Sequence, residues 1–189
     1  MSAKKIIVNV MPYLESRNRR DTYIDIGANV GLTTKPLIGF FDKIHCFEPN
    51  PDAVEQMNNN IDTNLVNVHQ LALSNFIGNT ELVVPNNKLG HGSIVSARTK
   101  KWRRVKTKTH NVDVKTLDSY NFTNVDFIKI DTEQSENDII LGGLKTIEKF
   151  FPVIWLENKR QESIVAVKEL VRLGYQHKTY KADMMFTKE

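Results

Sequence analysis

Tyr23-Ile24-Asp25-Ile26-Gly27-Ala28-Asn29-Val30-Gly31 decides the fold. Residues 23–26 are aromatic and β-branched around a single acid, the pattern of a short buried strand. Gly27 and Gly31 bracket a tight turn. A residue without a Cβ lets the backbone bend hard there, or lets a ligand approach closely. In an open α/β sheet the carboxyl edge of the first strand is where nucleotide-like ligands bind.

The spacing of the turn narrows the ligand. A dinucleotide fingerprint G-x-G-x-x-G places its second glycine where the pyrophosphate comes nearest. Asn29 occupies that position, and Asp25 already brings negative charge. Both features argue against a phosphate, and so against an NAD-dependent dehydrogenase. They fit a ligand with a cationic end, such as S-adenosylmethionine, which carries an ammonium, a sulfonium and an adenosine. A second feature supports this reading. Residues 43–47 form a second strand candidate that ends at Glu48. An acid about 20 residues beyond the turn, at the tip of the second strand, accepts hydrogen bonds from both ribose hydroxyls. Asn50 and Pro51 then suit the cap and first position of a helix, with Val54, Met57 and Ile61 on its stripe.

Composition sets outer limits. The chain of 189 residues, 40% hydrophobic and 25% charged, reads as one domain over residues 1–189 with one core. Its one cysteine, Cys46, lies in an apolar strand, which excludes an internal disulfide. That cysteine and five scattered histidines offer no close pair for a metal. The apolar run at residues 6–11 is short, is interrupted by Asn9 and followed by Pro12, and no small-residue cleavage site follows. Residues 1–20 therefore read as a helical segment lying against the sheet, with one amphipathic helix over residues 3–18. No run reaches membrane-span length, so the expected location is cytoplasmic.

Along the chain, a short helix is expected from the turn to about residue 41, with Pro36 near its start. Residues 66–73 read as a third strand. Gly78-Asn79 marks a turn before a strand at residues 80–84, making residues 75–115 a β-rich insertion that is locally antiparallel. Its further strands are expected at residues 93–97 and 110–114. Residues 116–118 read as a turn, and residues 125–130 as a buried strand ending at Asp131. One helix is expected over residues 136–149, stopped by Pro152. A strand at residues 153–156 ends at Glu157, and a helix at residues 161–173 ends at Gly174. Residues 175–179 and 184–187 suit a closing hairpin. Strands alternating with helices imply a mostly parallel sheet with helices on both faces.

Four strand ends carry acids: Asp25, Glu48, Asp131 and Glu157, with Glu133 and Glu136 just past the third. In a parallel sheet they gather on one edge, where a sulfonium would offset their charge. Methyl transfer needs an acceptor held in line with the methyl group, and a base when that acceptor is a hydroxyl. Asp131 and Glu133 are the candidate positioning or base groups, and His91, in a glycine-flanked loop, is a third. The group Asp131, Glu133 and Glu157 suits a divalent ion as well as base work.

These stretches, taken in order, resemble the FkbM-like S-adenosylmethionine-dependent methyltransferases. The resemblance rests on residues 23–31, Phe47-Glu48-Pro49-Asn50-Pro51, Ala72-Leu73-Ser74 with Gly78, and residues 125–133. It implies an α/β class I methyltransferase (Rossmann-like) fold, with a mostly parallel seven-stranded sheet whose last strand is antiparallel. It implies S-adenosylmethionine as methyl donor and a hydroxyl acceptor on a sugar or other small molecule. By resemblance Asp25, Gly27, Ala28, Asn29 and Gly31 face the methionine end of the donor. Glu48 and Pro49 lie at the ribose, Ala72 and Leu73 at the adenine, and Asp131 and Glu133 at the transfer site. Gly92-Ser93 resembles a small-residue element near the active site, and Glu157 falls on the acceptor side. The family often has Glu-Gly after the strand-four aspartate, whereas Gln134 follows Glu133 here, which implies a reshaped acceptor pocket.

Seven basic residues lie between Arg98 and Lys108, with Trp102 among them. Arg103 and Trp102 are candidate acceptor contacts, which would make the acceptor phosphorylated or polyanionic. A solvated loop accounts for such a run equally well. The alternative activity is methylation of a nucleic-acid ribose, with Lys159, just past Glu157, as a further substrate contact. A non-catalytic binding module is the third reading, opposed by the intact turn, Glu48 and Asp131.

Overall fold

The computed structural model describes residues 3–86, 92–94, 106–158 and 163–189, with backbone only at residues 93 and 94. Its main sheet has seven strands in the order β10-β11-β9-β8-β1-β2-β3. In chain order these are β1 (Thr22–Ile26), β2 (Lys43–Phe47), β3 (Asn67–His69), β8 (Phe127–Ile130), β9 (Val153–Glu157), β10 (Gln176–Tyr180) and β11 (Asp183–Thr187). β11 pairs antiparallel with both β9 and β10 and is the one strand that runs against the rest. Strands β4 (Ala72–Leu73), β5 (Gly78–Pro85), β6 (Ser93–Ile94) and β7 (Thr107–Lys115) form a second sheet, ordered β4-β7-β5-β6.

The central strands are buried on both faces, and successive side chains serve opposite cores. Ile24, Ile26, Ile128, Ile130, Ile154 and Leu156 pack under α4 (Glu136–Leu141), α5 (Leu144–Phe150) and α6 (Ile164–Arg172). Tyr23, Phe127 and Trp155 pack under α1 (Ala3–Asn9), α2 (Met11–Ser16) and α3 (Pro51–Asn60). The Tyr23 and Phe127 rings stack at 4.9 Å. Arg19 fastens the far end of the sheet: its guanidinium donates to Asp126 and to the carbonyls of Val125, Phe150 and Phe151.

Several expected elements take a different form. The N-terminal helix is two helices, because Pro12 stands in the first turn of α2 and Val10 is its cap. The helix after the glycine turn is only a 3-10 turn, Lys35–Leu37, closed off by Gly39 at φ +85°. Residues 66–73 do not form one strand, since β3 belongs to the main sheet and β4 to the second. The long helix at residues 136–149 breaks at Gly142-Gly143, where a Cβ on Gly142 would stand 2.0 Å from the Ser74 carbonyl oxygen. Asp118 then caps α5, accepting from the Lys145 and Thr146 amides. The Asn50 cap of α3 is present, accepting from the Asp52 amide at 3.1 Å.

Five histidines that look scattered in the sequence include one pair joined in space by the β2–β3 pairing. His45 Nδ1 and His69 Nε2 share a hydrogen bond of 3.0 Å, and His69 also stacks on Phe47. Burial, with the charges of His45 and Lys115, lowers His69 to about 4; burial and Lys43 lower His45. The unfolded chain therefore binds more protons than the folded one below about pH 6.5. Stability from His69 is complete above that pH and is lost as the pH falls toward 4. Thermal unfolding followed from pH 7.5 to 4.5 is expected to show this loss. His69→Gln should flatten the acid limb by roughly 1 kcal/mol, allowing for solvent at a half-buried ring. An unchanged limb would remove the histidine pair as its source.

Candidate active site

At the carboxyl edge of β1, β2 and β8 lies a cleft with about 740 Å³ of empty space, open to solvent. Its acids are Glu48, Asp131 and Glu133; its apolar surface comes from Phe47, Leu71, Ala72, Leu73, Leu82 and Ile139. Ile26, Gly27, Asn29, Pro49, Gly92, Thr132 and Ser135 complete it. The second sheet supplies one wall through Ala72, Leu73 and Leu82.

The glycine turn is shaped for this edge. Gly27 stands at φ +74°, and a Cβ there would fall 2.2 Å from the Asp131 carbonyl oxygen. Asn29 is also left-handed, at φ +51°, a conformation asparagine tolerates better than most residues. That geometry aims the Asn29 amide at Glu48 Oε2, 2.9 Å away, while the Asn50 amide donates to Oε1 at 2.9 Å. Burial raises the Glu48 carboxyl, and these amides, with Lys129, partly offset it.

Of the residues singled out in the sequence, Gly27, Asn29, Glu48, Pro49, Ala72, Leu73, Asp131 and Glu133 come together on the cleft. Asp25, Ala28 and Gly31 do not line it. Asp25 is fully buried inside the sheet, its Oδ1 bonded to Lys129 Nζ at 2.7 Å and its Oδ2 to Thr34 Oγ1 at 2.6 Å. Ala28 is buried, and Gly31 packs against Met57 and Ile61. Glu157 is buried behind the cleft, hydrogen-bonded to Asp131. His91, Trp102, Arg103 and Lys159 lie outside the described residues, as does most of the basic run. The backbone of Ser93 pairs with Val83. Lys108, from that run, bonds both carboxylate oxygens of Asp52 at 2.9 and 2.8 Å.

Gln134 sits at φ +73°, so glycine is the easier residue there. Its side chain is not among those lining the cleft, so the departure from Glu-Gly leaves the cleft wall to Glu133 and Ser135.

Three features escaped the sequence reading. Thr132 lines the cleft and donates to Glu136 Oε1 at 3.0 Å. Burial pushes Glu136 up to about 7, so a proton-accepting group for neutral pH stands behind that hydroxyl. The apolar wall from Leu82 depends on β5 folding back over the edge. Lys129 lies at the centre of β8, 1% exposed. A lysine between two isoleucines of a buried strand is a legible signal, because such a residue needs an acid partner.

The strand order, with its single reversed strand between β9 and β10, and the cleft at the first strand's edge define the class I methyltransferase fold. The FkbM methyltransferase domain model matches residues 25–181, and the chain belongs to that family. The methyltransferase FkbM of Methylobacillus flagellatus KT is similar in fold, with a TM-score of 0.63 at 18% identity. That match covers 88% of this chain and 43% of the other, so the chain spans less than half of its length. A precorrin 8w decarboxylase of Methanobacterium thermoautotrophicum superposes with a TM-score of 0.51 at 12% identity, covering 90% of this chain and 82% of that one. No curated protein matches the chain in sequence.

The family depends on S-adenosylmethionine, and the residues present fit it. The Asn29 Oδ1 atom is buried on the cleft with no hydrogen-bond partner among the described residues, an acceptor that an ammonium would satisfy. The acids Glu48, Asp131 and Glu133 offset the donor's positive charge, and the apolar lining suits a flat base. Among the described residues no helix is long and apolar enough to cross a membrane.

Proposed function

We propose that this cleft holds S-adenosylmethionine and that the chain methylates a hydroxyl of a sugar or other small molecule. The observation that carries the reading is the meeting of Glu48, Asp131 and Glu133 with an apolar wall on one sheet edge. Asn29 and the Gly27 turn would hold the methionine end, Glu48 the ribose hydroxyls, and Ala72 and Leu73 the adenine. The bound donor supplies an electrophilic methyl group. The chain's own residues orient the acceptor and take its proton. Asp131 and Glu133, both lining the cleft, would do that work. Thr132 with Glu136 offers a second destination for the proton near neutral pH.

The deciding experiment is a transfer screen with tritiated methyl donor over sugars, small hydroxylated metabolites and RNA. Incorporation into a sugar or small hydroxyl compound is expected; incorporation into RNA alone would overturn this acceptor class. Glu48→Ala tests the donor half by calorimetry. It removes two charge-assisted contacts, so donor affinity should fall by about ten- to a hundredfold. Unchanged affinity would put the ribose elsewhere.

A further inference from the structure

Lys129 is a fully buried charge, and methyl transfer as described above has no direct use for it. Its register partner on β1 is Asp25. Its ammonium lies 2.7 Å from Asp25 Oδ1 and 2.8 Å from the Gly27 carbonyl oxygen. The side chains of the ion pair are 1% and 0% exposed. Removing two charges from water is expensive, and well-packed apolar residues usually stabilise such a position as well or better. The rest of β8, Phe127, Ile128 and Ile130, shows what a strand serving packing alone contains. A buried pair retained at that cost calls for a role besides stability.

The third contact indicates the role. Gly27 is held on both sides: its amide donates to the Phe47 carbonyl at 2.9 Å, and its carbonyl accepts from Lys129. Asp131 is tied to the same corner, its amide donating to the Ile26 carbonyl at 3.0 Å. One ammonium thus fixes the orientation of the peptide that begins the turn, from a side no ligand can reach. Rigid support from behind is what keeps a binding turn in its working geometry.

We propose that Lys129 is a positioning residue of the donor cleft, which sets the Gly27 peptide from inside the sheet. The inference rests on the reading of the cleft as the S-adenosylmethionine site. Burial opposes the charge of Lys129, but Asp25, Asp131 and Glu48 outweigh it and hold the lysine above its ordinary range. The reciprocal effect of its ammonium favours ionised Asp131 and Glu48. A cationic donor then meets a negative rim, with the positive charge kept behind the backbone.

The test separates positioning from folding. Lys129→Met leaves Asp25 buried and unpaired, so it should both destabilise the fold and weaken the donor site. Asp25→Asn combined with Lys129→Met leaves no charge at that position and keeps a partner for Thr34, so most of the thermal stability should return. Binding of S-adenosylmethionine and S-adenosylhomocysteine is then measured by calorimetry well below each melting temperature. The double variant is expected to bind both about tenfold or more weakly, because nothing restores the contact to Gly27. A folded double variant with wild-type affinity would overturn the proposal. Should the double variant not fold, Lys129→Gln takes its place, removing the charge and the full reach to Gly27. Its affinity is expected to fall likewise, and wild-type affinity would again overturn the proposal. Failure of the wild-type chain to bind either compound would instead overturn the reading of the cleft, and this inference with it.

Discussion

Gly27→Ala is expected to give a protein that loses most of its donor affinity and much of its stability. The added methyl would stand 2.2 Å from the Asp131 carbonyl oxygen, and that atom belongs to a backbone that cannot swing aside. Asp131 is held to the Ile26 carbonyl by its own amide, and β8 is paired on both sides. Relief therefore requires β1 and β8 to part at their carboxyl ends, or the turn to give up its φ of +74°. The left-handed conformation alone costs alanine about 1 kcal/mol or more. With the steric displacement the total is ~3–5 kcal/mol, a fall in melting temperature of about 10 °C. Either form of relief moves the Asn29 amide away from Glu48, so both ends of the donor site are disturbed. Thermal unfolding and donor calorimetry on one sample test this; near-wild-type values in both would mean the turn is not the rigid corner described here.

Asp131→Asn is expected to remove turnover while leaving a folded protein. The substitution keeps the shape of the side chain and the backbone contact to Ile26. What it removes is a carboxylate on the cleft wall. Burial opposes ionisation of Asp131, but Lys129 and a hydrogen bond with Glu157 help to hold its carboxyl below the usual range. It is therefore charged at every pH near neutrality. Loss of a positioned base costs about a hundredfold to ten-thousandfold in rate. The measurement is tritium transfer to whichever acceptor the screen returns, with wild type and variant compared at equal donor saturation. A variant that turns over as fast as wild type would move the base to Glu133 or to the Thr132–Glu136 pair. Because the folded Asp131 is depressed, the wild-type rate that depends on it should hold as pH falls through 6 and 5, and decline only below.

The turn and the Glu48 corner of the cleft were legible because their signals are local. A glycine turn, an acid at the next strand end and a capped helix lie within residues 23–51, and each depends on its neighbours in sequence. The run of buried strands was legible for the same reason. Features that depend on register were not. Asp25 was read as a ligand contact because it stands beside the turn, and only the alignment of β1 with β8 shows that Lys129 occupies it. The helix over residues 136–149 looked continuous because Ile140, Leu144 and Ile147 keep helical spacing across the break. What breaks it is Ser74, a segment far away in the chain. Residues 66–73 are apolar enough for one strand, yet backbone pairing divides them between two sheets.

The close approach of Gly142 to Ser74 has a mechanical consequence. Asn75 also bonds Asp138 across the same seam, at 3.1 Å. Strand β4, which lines the cleft through Ala72 and Leu73, and the helix carrying Ile139 are thereby fastened together, so a shift of one carries the other. Leu82, carried by β5 of the same smaller sheet, is joined to this unit through β7, so the apolar wall of the cleft shifts with it.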